Sequence, residues 1–239
     1  MKHNPFRDLS RFERLLWLLS LLGVGASFLL SPQADLLSMI ASLIGVTALI
    51  FVAKGYVLGQ VLTVVFAVFY GMVSFHFQYY GEMITYLGMT SPIAILAVIS
   101  WLRHPYKGSA EVTVHHLSLC AWLFLSLATL LVTLGFYFLL AALGTANLPV
   151  STLSVATSFL ASALTFLRSP YYALAYAAND VVLIALWIAA ALLDFSYLPM
   201  VICFVMFLVN DLYGLYSWRR MARRQRAQMP DSVENMNNR

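Results

Sequence analysis

Two carboxylates, Asp180 and Asp211, sit in stretches of chain that otherwise carry no charge, and each follows an asparagine, as Asn179-Asp180 and Asn210-Asp211. An ionisable side chain in apolar surroundings is costly and normally faces an aqueous cavity or a partner. None of those stretches holds a Lys or Arg that could neutralise the pair. The carboxylates therefore point to a cationic ligand, a bound proton, or hydrogen bonds to neighbouring amides. The competing reading is a structural contact between adjacent helices, with the aspartate protonated. Tyr176 lies one helical turn before Asp180 and Trp187 two turns after it, so the three form a polar–aromatic stripe on one face. Asn210, Tyr213 and Ser217 recur at i, i+3 and i+7. Gln60 is the amide nearest the corresponding earlier position, and Glu82, Thr85, Tyr86, Met89 and Thr90 make a further polar edge. Glu82 falls near the end of its segment, where a carboxylate is readily solvated. An apolar slot lined by Trp and Tyr with a few amides suits a flat, partly polar ring. Any one of these aromatics taken alone is equally an ordinary packing residue.

The elements that must position these groups are apolar runs. The composition is 62% hydrophobic and 10% charged, which excludes a water-soluble surface. Eight segments, about 15–30, 36–53, 56–77, 83–102, 117–143, 149–167, 171–193 and 196–218, approach or exceed the roughly 20 helical residues that cross a hydrocarbon core. All 14 Lys and Arg fall on one side of the alternation these segments define. The N-terminal stretch holds Lys2, Arg7, Arg11 and Arg14. Lys54, then Arg103 and Lys107, then Arg168 occupy alternate gaps, and Arg219, Arg220, Arg223, Arg224, Arg226 and Arg239 follow the last segment. The gaps around 31–35, 78–82, 144–148 and 194–195 have none. Because cytoplasmic loops retain Lys and Arg, both termini are expected in the cytoplasm. The net charge of +4 sits at membrane edges beside anionic lipid, which argues against nucleic acid as a partner.

The chain also repeats itself. Tyr80, Met83, Ser100, Trp101 and Arg103 recur as Tyr197, Met200, Ser217, Trp218 and Arg220, all 117 residues on. Each set closes a three-segment unit, and an odd segment between the units restores their common orientation. The expected fold is an all-α membrane protein of eight transmembrane helices. Residues 1–35 form an N-terminal tail and extra helix, 36–102 a first three-helix repeat, and 103–148 a loop and linker helix. Residues 149–218 form a second repeat parallel to the first, and 219–239 a basic cytoplasmic tail. A parallel 3+1+3 arrangement is one by which secondary transporters build a midplane site between halves.

The stretch from Tyr56 to Trp101, with LGQ at 58–60 and YYGEMITYLGM at 79–89, resembles the nicotinamide riboside transporter (PnuC) family. So do SPYYALAYAANDVVLIALW at 169–187 and NDLYGLYSW at 210–218. The resemblance covers roughly residues 36–218. It implies a bacterial inner-membrane protein with two three-helix bundles and a linker helix, as in SWEET-type sugar transporters. It also implies facilitated diffusion of the vitamin, trapped inside by phosphorylation; relatives that carry thiamine or riboflavin are similar. On this basis Gln60, Asn179, Asp180, Trp187, Asn210 and Tyr213 occupy matching site helices. The chain departs from the family where many members end the third helix in aromatic-Gly-Trp-x-x-Trp: here the first repeat reads Ile95-Leu96-Ala97-Val98.

Nicotinamide riboside carries a pyridinium cation, which Asp180 or Asp211 could complement electrostatically and Trp187 through a cation–π contact. Its amide and hydroxyls could find partners in Asn179, Asn210 and Gln60. Thr85, Tyr86, Tyr176 and Tyr213 complete the expected substrate-binding set. A proton-coupled carrier of a related vitamin such as thiamine, also a cation, is the alternative. An enzyme is not expected: His3, His76, His104, His115 and His116 all lie at or beyond segment ends, and G-x-S-x-G, H-E-x-x-H and P-loop motifs are missing. No cofactor or metal is expected. The partners are a small-molecule substrate and the lipid bilayer, with room for a homo-oligomer.

Overall fold

The computed structural model describes residues 4–31, 35–76, 80–145 and 147–228. Lys2, Gln78, Tyr79 and Arg239, which entered the charge and motif readings, lie outside the described residues. The helices are α1 (Arg11–Leu29), α2 (Leu36–Ala53), α3 (Val57–His76), α4 (Tyr80–Ile84), a π turn at Thr85–Thr90 leading into α5 (Ser91–Arg103), α6 (Leu119–Ala142), α7 (Leu148–Phe166), α8 (Tyr172–Ala191) and α9 (Leu198–Ala227). With α4, the π turn and α5 forming one rod, eight helices among the described residues are long and apolar enough to cross a membrane.

Two helix ends differ from expectation. The first helix begins at Arg11, ahead of its apolar run, because Ser10 and Glu13 form a capping box that supplies its first amides with partners. The last helix continues past Trp218 to Ala227, carrying the arginines as helix. Arg is a good helix former, and the extension is anchored where Arg224 pairs with Glu111 and Gln225 Nε2 donates to Glu111 Oε1 at 2.8 Å.

All the described Lys and Arg gather at one end of the bundle, called here the basic end, and that end is cross-tied. α2 finishes in a Schellman motif: Gly55, at φ 69°, donates to Val52 O at 2.9 Å, and Tyr56 N–H to Phe51 O at 3.0 Å. α7 finishes the same way with Arg168 at φ 58°; its N–H donates to Thr165 O at 3.0 Å and that of Ser169 to Leu164 O at 2.9 Å. The same two carbonyls are taken by tryptophans from distant helices. Trp218 Nε1 on α9 donates to Val52 O at 2.8 Å, and Trp101 Nε1 on α5 to Thr165 O at 3.0 Å. The two indoles meet with centroids 5.5 Å apart. The segment between α5 and α6 straps across both turns, Val112 N–H donating to Gly55 O and His115 N–H to Arg168 O.

α1 docks on α2 and α9 through Trp17 Nε1, which donates to Thr47 Oγ1 at 3.1 Å, and through Glu13. The Glu13 carboxylate meets Lys54 Nζ at 3.0 Å and accepts from Tyr213 Oη at 2.8 Å. Outside the spans, the Tyr56 hydroxyl donates to Asp8; burial, with that carboxylate beside it, pushes its pKa up to about 12. α6 is the least enclosed helix, with 11% of its most apolar stretch buried, and presents Leu123, Phe124 and Phe138 outward.

Trp101→Phe and Trp218→Phe each delete one indole donor and part of a buried ring. Each is expected to cost about 1–3 kcal/mol from the hydrogen bond and the lost packing together. Thermal unfolding of the purified protein in detergent checks this, and an unchanged melting temperature in both variants would show that the clasp carries no stability.

Candidate functional site

Midway along the bundle, α2, α3, α7, α8, α9 and the π turn enclose a chamber. Asn179 and Asp180 enter it from α8, Asp211 from α9, Tyr86 and Thr90 from the π turn, and Ser158 from α7. Phe66 on α3 and Phe204 and Phe207 on α9 close it with their rings, and Gly45 forms the α2 side. A Cβ at Gly45 would run into the Phe207 and Phe66 rings, so only glycine lets α2 approach this closely.

Helix geometry explains the gathering. α7 carries a stripe of small hydroxyls, Ser151, Ser154, Ser158, Ser162 and Thr165, all buried at helical spacing toward α8. Ser158 donates to Asn179 Oδ1 at 2.9 Å and the Thr157 hydroxyl lies 2.8 Å from the same oxygen, an arrangement that leaves the amide NH2 group to donate elsewhere. Ser162 Oγ and Tyr176 Oη lie 3.3 Å apart one turn toward the basic end. Asp180 and Asp211 are each 3% exposed and lie close enough to interact directly, and Asp180 Oδ2 has no hydrogen-bond partner among the described residues. Two carboxyls at that separation need a proton or a cation between them. Among the described residues no Lys or Arg lines the chamber to supply the charge.

Of the residues read from sequence, Tyr86, Tyr176, Asn179, Asp180 and Asp211 come together here. Gln60 is buried on α3 one turn from the chamber-lining Thr63, toward the basic end. Thr85 is buried with its hydroxyl committed to Gly81 O at 2.9 Å. Asn210 faces away, its amide donating to Ser20 on α1 at 2.9 Å and to Met206 O at 2.7 Å. Tyr213 turns to Glu13 at the basic end. Trp187 shares the face of Asp180 but lies seven residues, about 10 Å, further along the axis; there it packs with Tyr197 at 5.7 Å and turns its indole toward Tyr70. The stripe is thus divided between the chamber and the layer beyond it. Glu82 lies in the first turn of α4 but is not freely solvated there, being 5% exposed. Phe66, Phe204, Phe207 and Ser158 escaped the sequence reading. The serine spacing on α7 was the available signal, whereas the phenylalanines are indistinguishable in sequence from lipid-facing ones.

Eight membrane-length helices among the described residues, six of them around a buried chamber that holds polar side chains, define a multi-pass membrane protein of the solute-carrier kind. A family model described as "Nicotinamide mononucleotide transporter" matches residues 35–220, and the chain belongs to that family. It is 28% identical over 233 residues, 95% of this chain and 88% of the relative, to a protein of Neisseria mucosa named nicotinamide riboside transporter PnuC. A Haemophilus influenzae protein of the same name is 25% identical over 190 residues, spanning 79% of this chain and 81% of its own. A crystal structure titled as the vitamin B3 transporter PnuC superposes with a TM-score of 0.80 at 26% identity, covering 91% of this chain and 94% of that one.

The chamber measures about 50 Å³, well below the roughly 300–1,000 Å³ of pockets for drug-sized ligands. Admitting a ring-bearing solute therefore requires the lining to expand. Gly45→Ala places a methyl against the Phe207 and Phe66 rings, an overpacking that costs about 1–3 kcal/mol. The variant is expected to fold but to show a smaller solute-induced rise in melting temperature. Unchanged stabilisation by solute would show that these rings do not control the space.

Proposed function

We propose that the chain imports nicotinamide riboside, a cationic vitamin B3 precursor, by facilitated diffusion through the chamber around Asp180. The observation that carries this reading is the pair of buried carboxyls with no Lys or Arg among the described residues of the lining. The family is named for a mononucleotide and the two relatives for the riboside. The phosphate of a mononucleotide would meet two acidic groups and no cation, whereas the riboside offers a pyridinium alone. In the bound state Asp180 and Asp211 face the pyridinium, Asn179 meets the carboxamide or ribose, and Tyr86 and Tyr176 border the ring. Gln60, Thr85, Trp187, Asn210 and Tyr213 support this site from neighbouring positions.

The reading includes two parallel three-helix repeats, 36–102 and 149–218, joined by the 103–148 loop and linker helix. What supports it is the reciprocity at the basic end, where each Schellman carbonyl is bound by the tryptophan of the other half. The even segregation of cations supports a cytoplasmic location for that end and for both termini. Cysteines at Lys107 and Arg168 are expected to be shielded from an impermeant reagent outside intact cells, and cysteines at Asp35 and Asp194 to be labelled. Outside labelling at position 168 would overturn this orientation.

Titration calorimetry on the purified full chain tests the substrate. Nicotinamide riboside is expected to bind, and the mononucleotide to bind much more weakly. Asp180→Asn should weaken riboside binding by about 1.5–3 kcal/mol, the range for a hydrogen bond to a charged group. The uncharged, ring-reduced riboside should lose less. Undiminished riboside affinity in Asp180→Asn would sink the electrostatic assignment.

A further inference from the structure

A second cavity of about 280 Å³ opens at the end of the bundle opposite the cations. Its sides are α4, the α6–α7 turn with Thr145 and Asn147, Ser151 on α7, and Leu186 and Ala190 on α8. Glu82 lines it. That side chain is 5% exposed, Ser154 lies beside the carboxyl, and Oε2 accepts no hydrogen bond of good geometry from any described residue. The acidic residues described at this end, Asp35, Glu82 and Asp194, are matched by no Lys or Arg. A burial this deep with no cation beside it is costly for a carboxylate, and a concave mouth of one sign concentrates counter-ions.

The cavity shares no lining residue with the inner chamber. Between them stand Tyr70, Tyr86 and Trp187, the Tyr70 and Tyr86 rings meeting at a tilt of 55° with centroids 4.4 Å apart. Tyr86 lies within electrostatic reach of both Glu82 and Asp180. One aromatic layer thus separates two carboxylate-bearing compartments.

We propose that the Glu82 cavity is a separate outer docking site for organic cations, where a positively charged ring is held before it passes the Tyr70–Tyr86–Trp187 layer to Asp180 and Asp211. Its transport role rests on the substrate and orientation proposed above; its affinity for cations does not. Hydroxyl and amide groups of Thr145, Asn147 and Ser151 suit the polar substituents of such a solute, and the apolar α8 wall suits its ring.

The test uses the full chain, purified in neutral detergent, with the exposed Cys120 replaced by Ser and Ala190→Cys introduced in the cavity wall. Two thiosulfonate reagents of similar size are compared, one bearing a trimethylammonium group and one a sulfonate, each normalised to its rate with a free thiol. The cationic reagent is expected to react about tenfold faster or more, as for focusing by a charged cleft. Glu82→Gln should bring the two rates together, and Glu82→Asp should keep most of the preference. Should Glu82→Gln fail to fold, a salt titration of the Glu82 protein decides instead, since a charge-driven preference narrows as ionic strength rises. No preference, or one unaffected by Glu82→Gln and by salt, overturns the site. Because neither reagent is a nicotinamide, a clear preference alongside failure of riboside to bind would leave the outer site standing and refute only the substrate. Riboside binding without any preference would do the reverse.

Discussion

The reciprocal tryptophan clasp is the interaction on which the helix arrangement depends. Lipid tails are as apolar as leucine, so helices in a bilayer gain little from hydrophobic contact with one another and rely on packing and hydrogen bonds. Trp101 and Trp218 supply both. Each buries a large ring and reaches a carbonyl that the distant helix has already turned outward in its capping motif. The strap formed by Val112 and His115 then bonds the carbonyls of Gly55 and Arg168, the positive-φ residues of those caps. With α2, α5, α7 and α9 tied together at this depth, their mid-membrane faces are held in register around the chamber, where polar groups face each other without a basic partner. Closure at one end and a polar interior are thus linked: the carboxyls can be isolated from water because the basic end is sealed by indoles and backbone hydrogen bonds.

The interior itself is graded along its length. Glu82, then the layer of Tyr70, Tyr86 and Trp187, then Asp180 with Asp211, lie in succession from the open mouth inward. Beyond them Tyr176 engages Ser162, and finally the tryptophans close the basic end. Negative groups alternate with aromatic faces, and both attract a cationic ring, the first by charge and the second through the ring quadrupole.

Much of the fold was legible because hydropathy and the placement of Lys and Arg report directly on the cost of moving charge through lipid. Helix ends are governed by hydrogen bonding instead, so Arg11 and the helical run after Trp218 were misjudged; the Ser10-x-x-Glu13 pair held the information for the first. In the site, Asn179, Asp180 and Tyr176 were legible as one helix face. Adjacent Asn179 and Asp180 both line the chamber, whereas of Asn210 and Asp211 only the aspartate does; how far α9 is rotated about its axis decides this, and the pair of residue types does not encode it. Trp187 had the right face and the wrong depth, a coordinate that periodicity does not encode. Glu82 was misplaced because its distance from the start of a segment was taken for distance from water, whereas the α6–α7 turn covers it.

The π turn at Thr85–Thr90 has a phase consequence. Pro92 has no N–H and its ring crowds the preceding turn, and the wider turn just before it, with Ser91 N–H bonded back to Tyr86 O, takes up one additional residue. One residue is about 100° of rotation. On the basic side of the turn the helix aims Trp101 at α7; on the other side it aims Glu82 and Tyr86 inward. A regular helix with the same Trp101 contact would have placed Glu82 about 100° away from its present direction. The single inserted residue therefore works as an angular offset, letting one rod present two unrelated faces to the same interior.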